Sequence, residues 1–282
     1  MCRWIAYSGT PIYLHEAIFE PEHSLIDQSL RAKSSETTTN GDGFGIGWYN
    51  NREFPGVFKD VRPAWNDNNL RALSQQIKAS LFVAHIRAAT VGAIQRSNCH
   101  PFCHDNWLFV HNGAIESYET IRRELMFAVA PELFNSIEGT TDSELMFYLA
   151  LTFGMAGDVA SGLARMAGFV ESVAEKHGIE NPLQMTLGIS DGDKLFAVRY
   201  SSARNSRTLF HSKDPEALED VTPEADRVSS KTCAIVSEPL SSLADAWQEV
   251  PESSFLTIAG GKVQHLSLIH ISEPTRLNST SR

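Results

Sequence analysis

The sequence has 282 residues, of which 42% are hydrophobic and 21% charged, and its formal net charge is −10. That length is enough to bury a full core in one large or two small domains, and the composition excludes a disordered chain. The acidic balance speaks against nonspecific nucleic-acid binding, which needs clustered Lys and Arg against phosphate.

The chain opens Met1-Cys2-Arg3-Trp4-Ile5-Ala6-Tyr7 with no basic stretch followed by an apolar run, so no targeting segment is expected. Strand-like runs dominate the first half: Arg3 to Tyr7, Gly45 to Tyr49, Gly56 to Lys59, Leu81 to Ile86 and Trp107 to His111. Each is apolar or aromatic and bounded by Gly, Asn, Asp or Pro. Helices are predicted over Asp67 to Lys78 and over Tyr118 to Val129. A third opens at Thr141, where Thr141-Asp142-Ser143-Glu144 has capping-box spacing, and runs through Phe153. A fourth starts near Asp158 and stops at His177-Gly178. Strands return at Met185 to Ile189 and Leu195 to Tyr200 around the turn Ser190-Asp191-Gly192-Asp193, which predicts a hairpin. Arg207 to His211, Thr232 to Ser237 and Phe255 to Ala259 follow. Strands, then central helices, then strands, without regular βαβ alternation, predict an α+β protein of antiparallel sheets covered by helices.

The longest apolar stretch, Leu145 to Gly157, is shorter than the ~20 residues a spanning helix needs, so no membrane association is expected. The four cysteines (Cys2, Cys99, Cys103, Cys233) are too few for a disulfide scaffold, and a reducing cytoplasm is the expected compartment.

Several segments carry chemistry-bearing residues. Cys2 follows the initiator Met, whose removal would leave a thiol and a free α-amine on one residue. Their unperturbed pKa values, roughly 8.5 and 8, are close enough for balanced proton transfer near neutral pH. Alone, a structural or incidental thiol is the better reading. Gly41, Gly43, Gly45 and Gly47 allow either a tight turn or a close backbone approach. Arg87, at the end of a strand, suits a carboxylate, with Thr90 as a further donor, or an internal acid partner. Asn112-Gly113 is either a turn or an oxyanion hole made from the Asn112 amide and the Gly113 N–H. Asp142 in a first helical turn either complements the dipole or binds a substrate ammonium. Cys99-His100-Pro101-Phe102-Cys103-His104 does not have the spacing of a common structural zinc site, and neither a metal nor a cofactor is expected.

Taken in order, Cys2, the Gly41 to Gly45 run, His85-x-Arg87-x-x-Thr90-x-Gly92, Asn98-x-His100-Pro101-Phe102, His111-Asn112-Gly113 and Asp142-Ser143-Glu144 resemble the class-II glutamine amidotransferases. Met1-Cys2-Arg3 and the Ser237-Glu238-Pro239-Leu240…Trp247 segment are most similar to the stand-alone YafJ/EgtC-type members. The resemblance implies the four-layer αββα sandwich of the N-terminal-nucleophile (Ntn) hydrolases, over a domain of residues 2–265. It implies Cys2 as nucleophile with its own α-amine as base, and Asn112 with Gly113 as the oxyanion hole. Arg87, with Thr90 in the same role, would hold the substrate α-carboxylate and Asp142 the α-ammonium. Where sugar-amidating members carry Trp and His, this chain has Ala88 and Val91, which leaves a different pocket mouth.

Nothing after Gly113 resembles an acceptor-activating domain. The expected activity is therefore hydrolysis of glutamine through a Cys2 thioester, with ammonia released or passed to a separate acceptor or synthase subunit. The alternatives are an amidohydrolase of a larger γ-glutamyl conjugate and a non-catalytic glutamine-binding regulatory subunit. Leu266 to Arg276 resembles a translated sequencing adapter, so Leu266 to Arg282 is expected to be foreign and the natural C-terminus missing.

Overall fold

The first strand, β1 (Arg3–Tyr13), alternates side chains between two apolar environments: Ile5 and Tyr7 face one way, Trp4 and Ala6 the other, and all four are buried. A strand hydrophobic on both faces belongs between two layers, and that is where it lies. The computed structural model describes residues 2–30, 39–89, 92–214, 218, 231–243 and 245–268.

In chain order the elements after β1 are α1 (Leu14–Ile18), α2 (Leu25–Leu30), β2 (Phe44–Tyr49), β3 (Gly56–Asp60), α3 (Asn68–Ser74), β4 (Lys78–Ile86), β5 (Phe102–His104) and β6 (Trp107–Ile115). The central helices are α4 (Tyr118–Phe127), α5 (Pro131–Phe134), α6 (Asp142–Thr152) and α7 (Val159–Lys176). Then come β7 (Leu183–Ser190), β8 (Leu195–Ser201), β9 (Phe210–Ser212), β10 (Cys233–Val236), β11 (Trp247–Glu249), β12 (Ser254–Ala259) and β13 (Lys262–Ser267).

The described strands form two sheets, of order β11-β9-β10-β1-β4-β2-β3 and β13-β12-β8-β7-β6-β5. Every pairing in both is antiparallel. Three apolar layers separate four structural ones. Ile5, Phe44, Phe82 and Val236 pack under α1, α2 and α3. Trp4, Val83, Leu108 and Val110 fill the space between the sheets. Phe109, Leu187 and Ile189 pack with Phe147, Met166 and Val170 of α6 and α7. This is the expected αββα sandwich, each sheet burying one face on the other and one on helices.

Caps follow the chemistry of the termini. Asp67 accepts from the Leu70 N–H at 2.6 Å to start α3, and Asp158 accepts from Ser161 N–H to start α7. At α6 the Thr141 hydroxyl accepts from Glu144 N–H at 3.3 Å. The Glu144 carboxylate instead takes the N–H groups of Glu138 and Gly139, so only half of the expected capping box forms. The turn expected at Ser190 to Asp193 joins β7 to β8, with Gly192 at φ +94 and Asp191 accepting from the N–H groups of Asp193 and Lys194.

Four expectations shift. The helix expected through Lys78 ends at Ser74, because Lys78 already pairs with Tyr13 as the first residue of β4. The strand expected from Arg207 begins at Phe210, since the Thr208 hydroxyl is committed to the Ser237 carbonyl outside the ladder. Two short helices, α1 and α2, occupy ground where no element was expected. The boundary expected at His265 falls inside β13, whose Leu266 and Ser267 pair with Phe255 and Ser254. Residues 269–282 of the expected foreign tail lie outside the described residues. Among the described residues no helix is long and apolar enough to cross a membrane.

Candidate active site

The site assembles where β1 begins and β4 ends, facing residues 112 and 113 of β6. Cys2 immediately precedes β1, and its Sγ lies on the Ala88 peptide, accepting from the Ala88 N–H at 3.3 Å and facing the Ala88 carbonyl at 3.4 Å. β4 pairs Ile86 with Arg3, so residues 87 and 88 follow on at the level of Cys2. Cys2 keeps some exposure to solvent, yet its sulfur is crowded by protein. Burial therefore raises the thiol pKa, opposed by the Ala88 N–H and the positive charges of Arg87 and Arg3.

The glycine run holds that strap in place. Arg87 N–H donates to the Gly43 carbonyl at 2.8 Å, Asp42 N–H to the Arg87 carbonyl at 3.2 Å, and Ala89 N–H to the Asp42 carboxylate at 2.8 Å. Gly43 has φ +112, and a Cβ there would sit 2.6 Å from Cys99 Sγ. A Cβ on Gly45 would sit 2.1 Å from the His100 carbonyl oxygen. Of the two readings open from sequence, close approach is the one observed at Gly45.

Arg87 is buried, and its guanidinium donates to the carbonyls of Ala93 at 3.2 Å and Gly92 at 3.4 Å. Gly92, at φ +76, turns the chain back toward it. Asn98 fastens the same loop, donating to Ala93 O and Thr140 Oγ1 while accepting from Thr140 N–H. Thr90 lies outside the described residues.

Asn112 and Gly113 do not form a turn; they are internal to β6, opposite Thr186 and Met185 of β7. The buried Asn112 amide crosses between the sheets and donates through Nδ2 to the Cys2 carbonyl at 2.9 Å. Arg3 Nη1 donates to the same carbonyl at 3.0 Å, and Arg3 Nη2 pairs with Glu238 at 2.5 Å. Trp4 continues the bridge, donating through its indole N–H to Thr186, whose hydroxyl donates to the Asn112 carbonyl. Gly113 has φ +153, and a Cβ there would fall 1.8 Å from the Gln184 carbonyl oxygen.

Asp142 is buried at the start of α6, where one carboxylate oxygen accepts from Ile115 N–H at 2.8 Å and the other from Ser143 N–H at 2.8 Å. It is thus fixed to the end of the strand that carries Asn112. His111 Nδ1 meets the Ser143 hydroxyl at 2.8 Å; burial lowers its pKa, and Asp142 opposes that shift. The structure therefore joins Cys2 and Asn112 directly, sets Arg87 next to the Ala88 peptide on which the Cys2 sulfur rests, and ties in Asp142 through β6.

Three participants carried no assigned role in the sequence reading. Arg3 and Glu238 clamp the Cys2 main chain, and the Ala88 peptide cradles its sulfur. Glu238 stood in a noticed segment, but 235 positions separate the pair, and only the β1–β10 pairing (Ile5 with Val236) brings them together. The Cys99 to His104 segment disperses: Cys99 Sγ faces Asp60 O and Gln95 O, and Cys103 is exposed. Among the described residues, no three or more His, Cys, Asp or Glu could together hold a metal ion.

Comparison with known proteins places this geometry in a family. Residues 20–281 match the family model described as "Glutamine amidotransferases class-II". Cys2 precedes that span. The chain is 30% identical over 292 residues to "Probable glutamine amidotransferase DUG3" of Saccharomyces cerevisiae, covering 92% of this chain and 82% of that protein. It is 27% identical over 220 residues to the "Gamma-glutamyl-hercynylcysteine sulfoxide hydrolase" of Mycolicibacterium smegmatis, covering 77% of this chain and 86% of the relative. A solved "glutamine aminotransferase class-II domain protein" from Silicibacter pomeroyi superposes with TM-score 0.72 at 31% identity, over 95% of this chain and 99% of that one. The glutamine phosphoribosylpyrophosphate amidotransferase of B. subtilis shares the fold at TM-score 0.65 and 12% identity, with 49% of its chain covered.

Proposed function

The chain belongs to the class-II glutamine amidotransferases, and we propose that within this enzyme family it hydrolyses a γ-glutamyl amide with Cys2 as nucleophile. The observation that carries this reading is the double restraint on Cys2: its sulfur rests on the Ala88 peptide and its carbonyl is held by Asn112 and Arg3. A nucleophile fixed at both ends needs little reorganisation to attack.

With Met1 removed, the Cys2 α-amine takes the thiol proton as sulfur attacks the γ-carbonyl carbon. The Asn112 amide has two N–H bonds; one goes to the Cys2 carbonyl, and the second is free in valence to meet the developing oxyanion with the Gly113 N–H. Collapse breaks the C–N bond, and the departing amine leaves with the proton from the Cys2 ammonium. Water, deprotonated by the same amine, then opens the thioester to glutamate. Arg87, with Thr90, takes the substrate α-carboxylate and Asp142 its α-ammonium, so the amino acid is oriented by its head. The catalytic unit begins at Cys2 and includes β13, which carries it past the expected limit at residue 265 to Ser267. Glutamine is the first substrate, its ammonia released or passed to a separate acceptor or synthase subunit. A larger γ-glutamyl amide is the second reading, favoured by likeness to a relative named as a γ-glutamyl hydrolase.

The test is glutamate release by wild type and Cys2→Ala, beside the N-terminal mass. Loss of Met1 with Cys2-dependent release is expected. Retained Met1, or equal turnover by Cys2→Ala, would sink the reading.

A further inference from the structure

Arg87 and Arg207 flank Cys2 from opposite sides of β1. Arg87 follows β4, the neighbour of β1 on one side. Arg207 leads into β9, two strands away on the other side, beyond β10. The register fixes its level. Trp4 N–H donates to Ser237 Oγ at 3.0 Å and Ser237 N–H to the Trp4 carbonyl at 3.0 Å; Thr208 Oγ1 donates to the Ser237 carbonyl at 3.0 Å. Arg207 adjoins Thr208 and is therefore carried at the Cys2 end of the sheet. Adjacent strands lie about 4.8 Å apart, so about 9.6 Å separates the two backbones, and an extended Arg side chain covers most of that distance. Its guanidinium is close enough to feel the charges of both the Cys2 sulfur and Arg3, and burial lowers its pKa.

This cation is not matched by the acids around it. Glu238 pairs with Arg3; Glu252 takes the N–H and hydroxyl of Ser206 through one oxygen, while its other, buried oxygen makes no hydrogen bond to Arg207 or to any other described residue. Among the described residues Arg207 has no ion pair, and its buried Nε has no hydrogen-bond partner. A guanidinium left in that state beside a reactive thiol is suited to an anion brought by the substrate.

We propose that Arg207 is a specificity-determining residue that binds a carboxylate on the leaving amine, so that γ-glutamyl amino acids are cleaved in preference to uncharged amides. The proposal rests on the γ-glutamyl hydrolase reading above. With the head group on the Arg87 side of Cys2, the amine side of the scissile bond faces the β10–β9 flank that carries Arg207. A carboxylate one carbon from the scissile nitrogen is the charge that flank can meet.

The experiment measures glutamate release from γ-glutamyl-alanine, γ-glutamyl-alaninamide and glutamine by the full chain after Met1 removal. Wild type is expected to favour the acid over its amide by about 10- to 100-fold in kcat/KM, as a charge-assisted hydrogen bond gives. Arg207→Ala should bring that ratio to within about threefold. Arg207→Gln, which keeps the packed stem, should do the same, and its thermal midpoint separates lost recognition from lost folding. A wild-type ratio near one, or a ratio that survives both substitutions, overturns the role of Arg207 alone. No glutamate from any of the three compounds overturns the hydrolase reading and this proposal with it.

Discussion

Asn112 Nδ2 donates to the main-chain carbonyl of Cys2 at 2.9 Å, so the proposed oxyanion donor and the proposed nucleophile are hydrogen-bonded to each other across the two sheets. The bond orients the amide, because only the NH2 end can face a carbonyl. Asn112→Ala removes both a clamp on Cys2 and a donor to the tetrahedral oxygen. We expect kcat to fall about 100- to 1000-fold, as for loss of a single oxyanion donor, with KM changed only a few-fold. Arg3 still holds the Cys2 carbonyl, so the fold should persist. Steady-state kinetics with a thermal melt check this; unchanged kcat in a folded variant would remove Asn112 from the mechanism.

Arg87 offers a different signature, because its role is in binding. The two Nη atoms already reach the Ala93 and Gly92 carbonyls, so the planar fork shapes the loop as well as the proposed carboxylate site. A Lys keeps the charge and loses the fork. Arg87→Lys should raise KM for γ-glutamyl substrates about tenfold or more, with a smaller effect on kcat. A substrate analogue lacking the α-carboxylate separates the two roles. Wild type should turn it over poorly, and the variant should discriminate against it much less.

Much of this was legible in local sequence. Apolar runs bounded by turn residues marked β1, β4 and β6; Asp191-Gly192 marked the β7–β8 turn; and Cys2, Arg87 and Asn112 each sit in or beside a strand the pattern identified. What was illegible is long-range or short. The Arg3–Glu238 pair and the placement of Arg207 depend on the pairing of β10 with β1 and of β9 with β10, which no local pattern encodes. α1 and α2 span five and six residues, too few to display a helical period. Glu144 had capping-box spacing, but its carboxylate accepts from two loop N–H groups instead, partners set by tertiary structure rather than by the helix's own sequence.

Gly45 lies inside β2, where any other residue would normally strengthen a strand. Here a Cβ would meet the His100 carbonyl oxygen at 2.1 Å and Lys59 Cγ at 2.8 Å. Backbone cannot yield as a flexible side-chain tip can, so Gly45→Ala must push β2 away from residue 100. We expect a destabilisation of about 1 to 3 kcal/mol, in the range of overpacking in a core. For a chain of this size that lowers the melting temperature by roughly 2 to 10 °C. Gly168→Ala is the control: it sits within α7 with nothing inside 4 Å of the added Cβ, and alanine favours helix. Equal melting temperatures for the two variants would refute the close-approach argument.

Three buried histidines around the site imply acid sensitivity. His85 is pushed down to about 3 by burial, with its Nε2 against the His111 carbonyl. His100 stacks on it at 4.1 Å and is lowered by burial and by the charges of His85 and His111, and burial lowers His111 as well. Each folded pKa lies below the unfolded value near 6.5, so above that pH both states are neutral and the full stability is present. As pH falls through 6.5 the unfolded chain takes up protons first, and stability declines; for His85, held near 3, that loss is about 2 kcal/mol by pH 5, and His100 and His111 add to it in the same direction. Urea midpoints at pH 7.5 and pH 5 should record the loss. Neither ring nitrogen of His100 has a hydrogen-bond partner among the described residues, and its ring already lies edge-on to Phe102. His100→Phe therefore removes a titrating group without breaking a bond. It should narrow the gap between the two midpoints by about one histidine's share while leaving the pH 7.5 midpoint near wild type. An undiminished gap in the folded variant would show that His100 is protonated in the native state and that burial does not control its charge.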